Sequence, residues 1–398
     1  MSPPIPRPVW LLGWVSLATD AASEAIYSLL PFFLTHVLGA TAVSLGIVEG
    51  ASEAANSLLK IVSGRLADRS RGKRWLVLAG YTLSSVARPF IAVTTTWAQL
   101  FTVRVLDRVG KGVRGAPRDA MLAAWATPAT RGKVYGFHQG MDNFGAVIGP
   151  VLATIFLLLW PGQYRALFAA TIVPGAIAVA LIFLVPDDAA GGARVEAAVT
   201  SGFGESNASG QAPLPRRFHL FIGVLALFML GNSTDAFLLL RLTDAAGGPQ
   251  FVPLMWAGLH IVKAAVSIVG GSWSDRIGRR AVIAGGWLVY AVVYAGFARS
   301  TTLPALLAWF LVYGFYYGFA EGTEKALVAD LAPPSRRGTA FGIYNAVTGL
   351  GALTASVVFG VVWKLWGAPA AFGVGATLAV IATALLFLVV SPQAPARA

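Results

Sequence analysis

The sequence predicts an all-α integral membrane protein of twelve transmembrane helices, arranged as two pseudo-symmetric six-helix bundles. Three observations predict it: a strongly apolar composition, apolar runs that recur at membrane-spanning length, and a second half that repeats the first. Of the 398 residues, 56% are hydrophobic and 12% are charged, and the mean hydropathy is +0.69. Soluble domains carry about 25% charged residues. One protein core does not hide this much apolar surface, so the chain needs lipid as part of its solvent. Cysteine is absent, which excludes disulfide frameworks, thiolate metal sites and thiol catalysis.

A hydrocarbon core of about 30 Å takes about 20 helical residues per crossing. On that ruler the first six spans fall at 9–36, 41–64, 74–95, 97–125, 135–160 and 164–185. The second six fall at 217–241, 252–273, 281–300, 304–331, 340–364 and 369–390. Met1 to Pro8 shows no basic region before a small-residue cleavage site, and the apolar run after it is too long for a removable signal, so it reads as span 1. Residues 187–216, rich in Gly, Ala, Ser and Pro, read as a flexible cytoplasmic linker between a bundle at 1–186 and a bundle at 217–398.

The formal net charge of +12 could suggest a polyanionic partner, but its distribution points to the membrane. Arg65, Arg69, Arg71, Lys73 and Arg74 share one inter-span loop. Further cations gather at Arg131 and Lys133, at Arg194, Arg216 and Arg217, at Arg276, Arg279 and Arg280, and at Arg336 and Arg337. The alternate loops hold only Arg165, Arg241, Arg299 and Lys364. This asymmetry predicts that both termini lie in the cytoplasm, and it gives no reason to expect nucleic acid as a partner. The expected location is a prokaryotic cytoplasmic (inner) membrane, crossed many times by a monomer.

The halves repeat in order and register. Thr19-Asp20-Ala21 corresponds to Thr234-Asp235-Ala236. Gly64-Arg65-Leu66-Ala67-Asp68-Arg69 corresponds to Gly271-Ser272-Trp273-Ser274-Asp275-Arg276. Pro128-Ala129-Thr130-Arg131-Gly132 corresponds to Pro334-Ser335-Arg336-Arg337-Gly338.

Gly64 to Arg74 resembles the cytoplasmic signature loop of the major facilitator superfamily, and Gly271 to Arg280 is similar to its echo in that superfamily's second half. Arg104, Gly110 and Gly112 resemble the superfamily's span 4 motif, with Arg108 where a glycine is usual. Gly145 to Pro150 resembles a reduced antiporter motif. A narrower resemblance, to a prokaryotic branch similar to drug and siderophore exporters, rests on Thr19 to Tyr27, Asp107 to Gly112 and Glu321 to Ala326. The resemblance implies that Gly64, Asp68, Arg69, Asp275 and Arg276 latch alternative conformations. It also implies that spans 1, 4, 7 and 10 line a central cavity.

A charge near the bilayer midplane costs about 2.5–3.5 kcal/mol on translocon scales, so each one needs a partner or a function. Asp20 and Glu24 share a face of span 1 at mid-depth, and Glu49, Glu53 and Lys60 form a stripe on span 2. Arg104, Arg108, Lys111 and Arg118 form a stripe on span 4, and His138, Asp142, Gly145 and Gly149 align on span 5. Asp235 lies in span 7, His260 and Lys263 in span 8, and Glu321, Glu324 and Lys325 in span 10. Lys60 can snorkel to the interface, and Arg114, Arg118 and Asp119 suit structural pairing. The expected proton-coupling residues are Asp20, Glu24 and Glu53. The expected solute-binding residues are Arg104, Arg108, Lys111, Asp235, Glu321 and Lys325, because fixed guanidinium groups suit anionic groups and carboxylates suit the cationic end of a zwitterion. Tyr313, Tyr316 and Tyr317 are candidates for the cavity wall. Trp10, Trp14, Trp75, Trp97, Trp160, Trp287, Trp363 and Trp366 read as interfacial belt residues.

The chain carries no His-Glu-x-x-His, Walker loop or Gly-x-Ser-x-Gly, and its four histidines do not cluster at metal-ligand spacing. An enzyme, a resident metal and a cofactor are therefore not expected. The expectation is a proton-coupled exporter of a small organic solute working by alternating access, with protons, solute and the bilayer as its partners. Uptake symport of an organic anion is the alternative, and divalent-cation efflux through Asp20, Glu24 and Asp235 is a more remote one.

Overall fold

A computed structural model describes residues 5–69, 72–126, 131–186, 213–333 and 336–389. Helical residues 61, 64–69, 131–133, 268–276, 337, 338 and 389 are described by backbone alone. Among the described residues all regular secondary structure is helical. The elements are α1 (Arg7–Tyr27), α2 (Ala42–Arg69), α3 (Lys73–Ala87), α4 (Trp97–Ala124), α5 (Arg131–Leu159), α6 (Tyr164–Ala170) and α7 (Ile172–Phe183). After the connecting stretch come α8 (Arg216–Gly231), α9 (Ala236–Ala246), α10 (Val252–Ile277), α11 (Arg279–Arg299), α12 (Leu303–Leu331) and α13 (Arg337–Val389). Short helical turns, Leu30–Phe32 and Phe33–Val37, follow α1, and Arg88–Val93 extends α3.

Seven helical stretches among the described residues are long and apolar enough to cross a membrane. The last, Thr339–Leu388, has 50 residues, more than twice one crossing, and Gly367 interrupts it at φ 83°. Helices α1, α2 and α4 are 21, 28 and 28 residues long, but their charged stripes lower their hydropathy. Many large apolar side chains point outward, among them Phe90, Leu158, Ile172, Val173, Leu365 and Leu388, as lipid-facing helices require.

Among the described residues two compact units emerge, one within 1–26 and 55–210, the other within 27–54 and 211–398. The break falls inside α2, so the stretch 27–54 packs with the second half of the chain. Two points thus differ from the even spans of the sequence. Span 1 is interrupted at Ser28 and Leu29. Span 7 is not one helix, because α8 ends at Gly231 and α9 starts at Ala236. Of the expected linker, residues 187–212 lie outside the described residues.

In the first unit the helices approach closely where glycines allow it. A Cβ on Gly110 would lie 2.6 Å from the Gly80 carbonyl of α3, and one on Gly112 would lie 2.7 Å from Leu59 Cβ of α2. This explains the span 4 glycines as contact points rather than conformational ones. A capping box starts α4: Gln99 N–H donates to Thr96 Oγ1 and Thr96 N–H to Gln99 Oε1, both at 3.3 Å. The core of this unit includes Val9, Leu12, Val15, Val77, Tyr81, Met121, Leu122 and Ile182. The second unit has an aromatic core instead, with Phe228 stacked on Trp287 at 4.4 Å and Tyr290 on Tyr294 at 4.0 Å.

Candidate functional site

Within the first unit, α5 lies directly against α1. Gly145 meets the backbone of Leu17 and Gly149 that of Ala21, so any side chain at either position would overlap α1. This approach brings Asp142 onto the face that carries Asp20. Ser16 Oγ donates to Asp142 Oδ1. The Asp20 and Asp142 carboxyls are close electrostatic neighbours. An ionised carboxylate only accepts, so two carboxyls bond directly only with a proton between them. Lys111 of α4 and Glu24, one turn along α1, lie within electrostatic reach of Asp20, and Arg118 and His138 lie within reach of Asp142. His138 is buried, and its Nε2 has no hydrogen-bond partner among the described residues. Asp20 therefore has Glu24, Lys111 and Asp142 within electrostatic reach, and the sequence reading singled out Asp20, Glu24 and Lys111 as site residues. Glu53 is an exposed residue of α2 and belongs to the other unit.

A second cluster in this unit is fully enclosed. Arg88 Nε donates to Asp107 Oδ1 at 2.8 Å, and Arg104 Nη1 lies 3.5 Å from Asp107 Oδ2. Arg88 Nη1 also donates to the Thr19 carbonyl at 3.0 Å, pinning α1 at the residue before Asp20. Arg88, Arg104, Asp107 and Arg108 are all 6% exposed or less. Arg104 and Arg108, expected to present their charge to a solute, are thus enclosed in this structure. A guanidinium in an apolar interior is retained only with a carboxylate beside it, and Asp107 at i+3 supplies that to Arg104. Arg114 donates to Ser84 Oγ at 2.9 Å and lies over the Tyr81 ring at 4.2 Å. Arg118 pairs with Asp119 at 3.0 Å. Arg88 escaped notice because it sits inside an apolar span, just before Pro89.

In the second unit the gap between α8 and α9 forms the other site, and tyrosine hydroxyls surround it. Tyr290 Oη donates to the Gly231 carbonyl at 2.7 Å, and Asn232 Nδ2 donates to Tyr316 Oη at 2.9 Å. Ser233 Oγ and Tyr294 Oη are 3.1 Å apart, and Tyr27 Oη and Thr234 Oγ1 are 3.2 Å apart. Asp235 ends the gap, its Oδ1 accepting from Tyr313 Oη at 2.9 Å and its Oδ2 from Tyr317 Oη at 2.6 Å. Interrupting the helix frees backbone groups that must find partners in the protein: Tyr290 takes the Gly231 carbonyl, and Thr234 N–H donates to Ser356 Oγ at 3.2 Å. Farther along α12, Glu321 bridges Lys263 at 3.5 Å and Lys325 at 3.1 Å, and Lys263 Nζ also lies over the Tyr317 ring at 4.0 Å. Trp287 is no interfacial residue: it is fully buried and donates to Glu324. Half-buried Trp363 likewise packs on Phe237, Phe359 and Phe372.

The family model described as the Major Facilitator Superfamily matches residues 12–261 and 220–398. The chain belongs to the major facilitator superfamily. It is 31% identical to an uncharacterised MFS-type transporter of Methanocaldococcus jannaschii, over 96% of this chain and 94% of that one. It is 27% identical to the multidrug resistance protein MdtH of Edwardsiella ictaluri, over 82% of this chain and 79% of that protein. Among solved structures, a mutant form of the nucleoside transporter NupG superposes with a TM-score of 0.77 at 15% identity, covering 97% of this chain and 100% of that one.

As a major facilitator the protein is a multi-pass membrane transporter and not an enzyme. The side chains expected to latch this transporter, Gly64, Asp68 and Arg69 at the end of α2 and Asp275 and Arg276 at the end of α10, lie outside the described residues. Residues that the sequence reading missed as members of these sites include Ser16, Arg88, Asn232, Tyr290 and Tyr294. None belongs to a charged stripe, and only Asn232, in Gly231-Asn232-Ser233-Thr234, stood in a recognisable helix-breaking sequence.

Proposed function

We propose that this major facilitator is a proton-coupled exporter of a small organic solute. In this reading twelve helices form two six-helix bundles that alternate access to a midplane site, in a cytoplasmic membrane, with both termini inside. The observation that carries the reading is the Asp20–Asp142 carboxyl pair in the middle of α1 and α5, with Lys111 within electrostatic reach. A carboxyl pair that holds a proton in one state, and exchanges it for a cationic solute group in the other, couples the two fluxes in opposite directions. Asp235 with its two tyrosine hydroxyls, and Glu321 with Lys263 and Lys325, offer a solute polar contacts in the second unit. The likeness to a multidrug resistance protein supports the export direction. The loops at Asp68 and Asp275 serve as conformational latches in this scheme.

Lys111 also favours a second reading, uptake of an organic anion together with a proton, because a protonated Asp20 leaves its charge to the anion. The test is proton movement in proteoliposomes loaded with a pH dye, challenged in turn with organic cations, anions and neutral drugs. Export by exchange gives proton flow opposite to the solute, and symport gives flow with it. The Asp20→Asn variant is expected to abolish solute-dependent proton flow while solute binding persists. Undiminished flow in that variant rejects the coupling role.

A further inference from the structure

Glu324 is 5% exposed and joins three helices through one carboxyl group. Its Oε1 accepts from Trp287 Nε1 of α11 at 2.9 Å, and its Oε2 accepts from Tyr344 Oη of α13 at 3.1 Å. Trp287 is itself held, stacked on Phe228 of α8 at 4.4 Å with 5° between the rings. Both donors are neutral. Among the described residues no cationic side chain lies within ion-pairing distance of the carboxyl, and the adjacent Lys325 turns to Glu321 instead. The ionisable groups around it are Glu321, Lys325 and Tyr316 on its own helix and Tyr344 on α13, while α11 presents the uncharged indole. Asp107 is as deeply buried but has two guanidinium partners. A buried carboxyl without such a partner avoids the cost of a bare charge by binding a proton.

We propose that Glu324 is a proton-binding site of the second unit, with the proton carried on Oε2 between Glu324 and Tyr344. The atom follows from donor chemistry. An indole N–H only donates, so Oε1 remains an acceptor whether or not the carboxyl holds a proton. A phenol hydroxyl donates or accepts, so Tyr344 donates to the carboxylate and, after turning its hydrogen away, accepts from the carboxylic acid. One proton arrives, one negative charge disappears, and the α12–α13 contact reverses its polarity without being lost. This site lies in a different unit from the Asp20–Asp142 pair, and its occupancy does not require that pair to couple transport.

The test is infrared difference spectroscopy of the full-length protein in phosphatidylcholine vesicles, comparing acid with alkaline pH. The expected result is a protonated-carboxyl C=O band that vanishes as pH rises, is missing in Glu324→Gln and is unchanged in Asp20→Asn. The band should also shift in frequency in Tyr344→Phe, which removes the hydroxyl at Oε2 and keeps the ring. If Glu324→Gln does not fold, as judged by circular dichroism, the Tyr344→Phe shift decides alone. A titrating band that survives Glu324→Gln in folded protein, a band unmoved by Tyr344→Phe, or no titrating band beyond one lost in Asp20→Asn overturns the assignment. Failure of the proton-coupled export reading registers separately, as undiminished proton flow in Asp20→Asn vesicles.

Discussion

Asp20 and Asp235 hold equivalent places in the duplicated sequence, yet the two units treat them differently. Asp20 sits inside an unbroken helix, beside a second carboxyl and within reach of Lys111. Asp235 sits at the end of a helix break, clasped by the hydroxyls of Tyr313 and Tyr317. The duplication preserved the position of a carboxylate but not its partners. Around Asp20 the buried groups compensate one another by charge, with Arg88 and Asp107 directly behind Thr19. Around Asp235 they do so largely through neutral phenols. Full charges make a scaffold that is costly to break, whereas phenols hold a helix gap through directional bonds that can be remade as a helix bends.

The largest expected effect comes from removing the carboxylate of the charged scaffold. Asp107→Asn removes the carboxylate that two enclosed guanidinium groups, Arg88 and Arg104, share. Breaking one partner from a buried ion pair costs about 3–5 kcal/mol. We expect a large fall in melting temperature and in yield of folded protein in detergent. Replacing all three residues with apolar ones of similar volume should recover much of that loss. An Asp107→Asn protein as stable as the parent would show that the first unit does not depend on charge compensation.

Replacing Tyr313 or Tyr317 with Phe probes the phenol side and should cost less. Each change removes a hydrogen bond to the carboxylate, worth about 1.5–3 kcal/mol when one partner is charged. Both rings remain in place to fill the aromatic core. The loss should show in thermal melts and in faster hydrogen exchange of the backbone at 231–236, the stretch that these hydroxyls surround. Equal protection in the variants would mean that packing alone holds the break.

These contrasts were unequally legible in the sequence. The charged stripes announced Asp20, Lys111, Arg104 and Asp142, because a charge in an apolar run stands out. What they touch was not legible, since it depends on how closely two helices approach. The Gly145 and Gly149 stripe carried that information about α1 and α5, but only the packed structure shows which residues it serves. The stripe that carries Arg104 does not reveal Arg88, 16 residues earlier in the chain, converging on the same Asp107. The break in span 7 was masked because apolar residues continue on both sides of Gly231-Asn232-Ser233-Thr234, and the hydropathy run bridges the gap. Trp287 looked interfacial, but its indole is occupied by Glu324, from a different helix.

The smallest expected effect on stability, and the sharpest test of the comparison, comes from Asp20→Asn. If charge compensation alone governed this region, losing the carboxylate would leave Lys111 less well balanced and lower stability. The pairing with Asp142 predicts otherwise. An amide in place of one carboxyl donates directly to the other, removing the need for a shared proton and any repulsion between two like groups. The melting temperature of Asp20→Asn should therefore match or slightly exceed that of the parent, while solute-dependent proton flow is lost. Stability retained as function disappears is what a strained functional carboxyl gives. A clear fall in melting temperature would place Asp20 with Asp107, as part of the scaffold that holds α1, and remove it from the transport cycle.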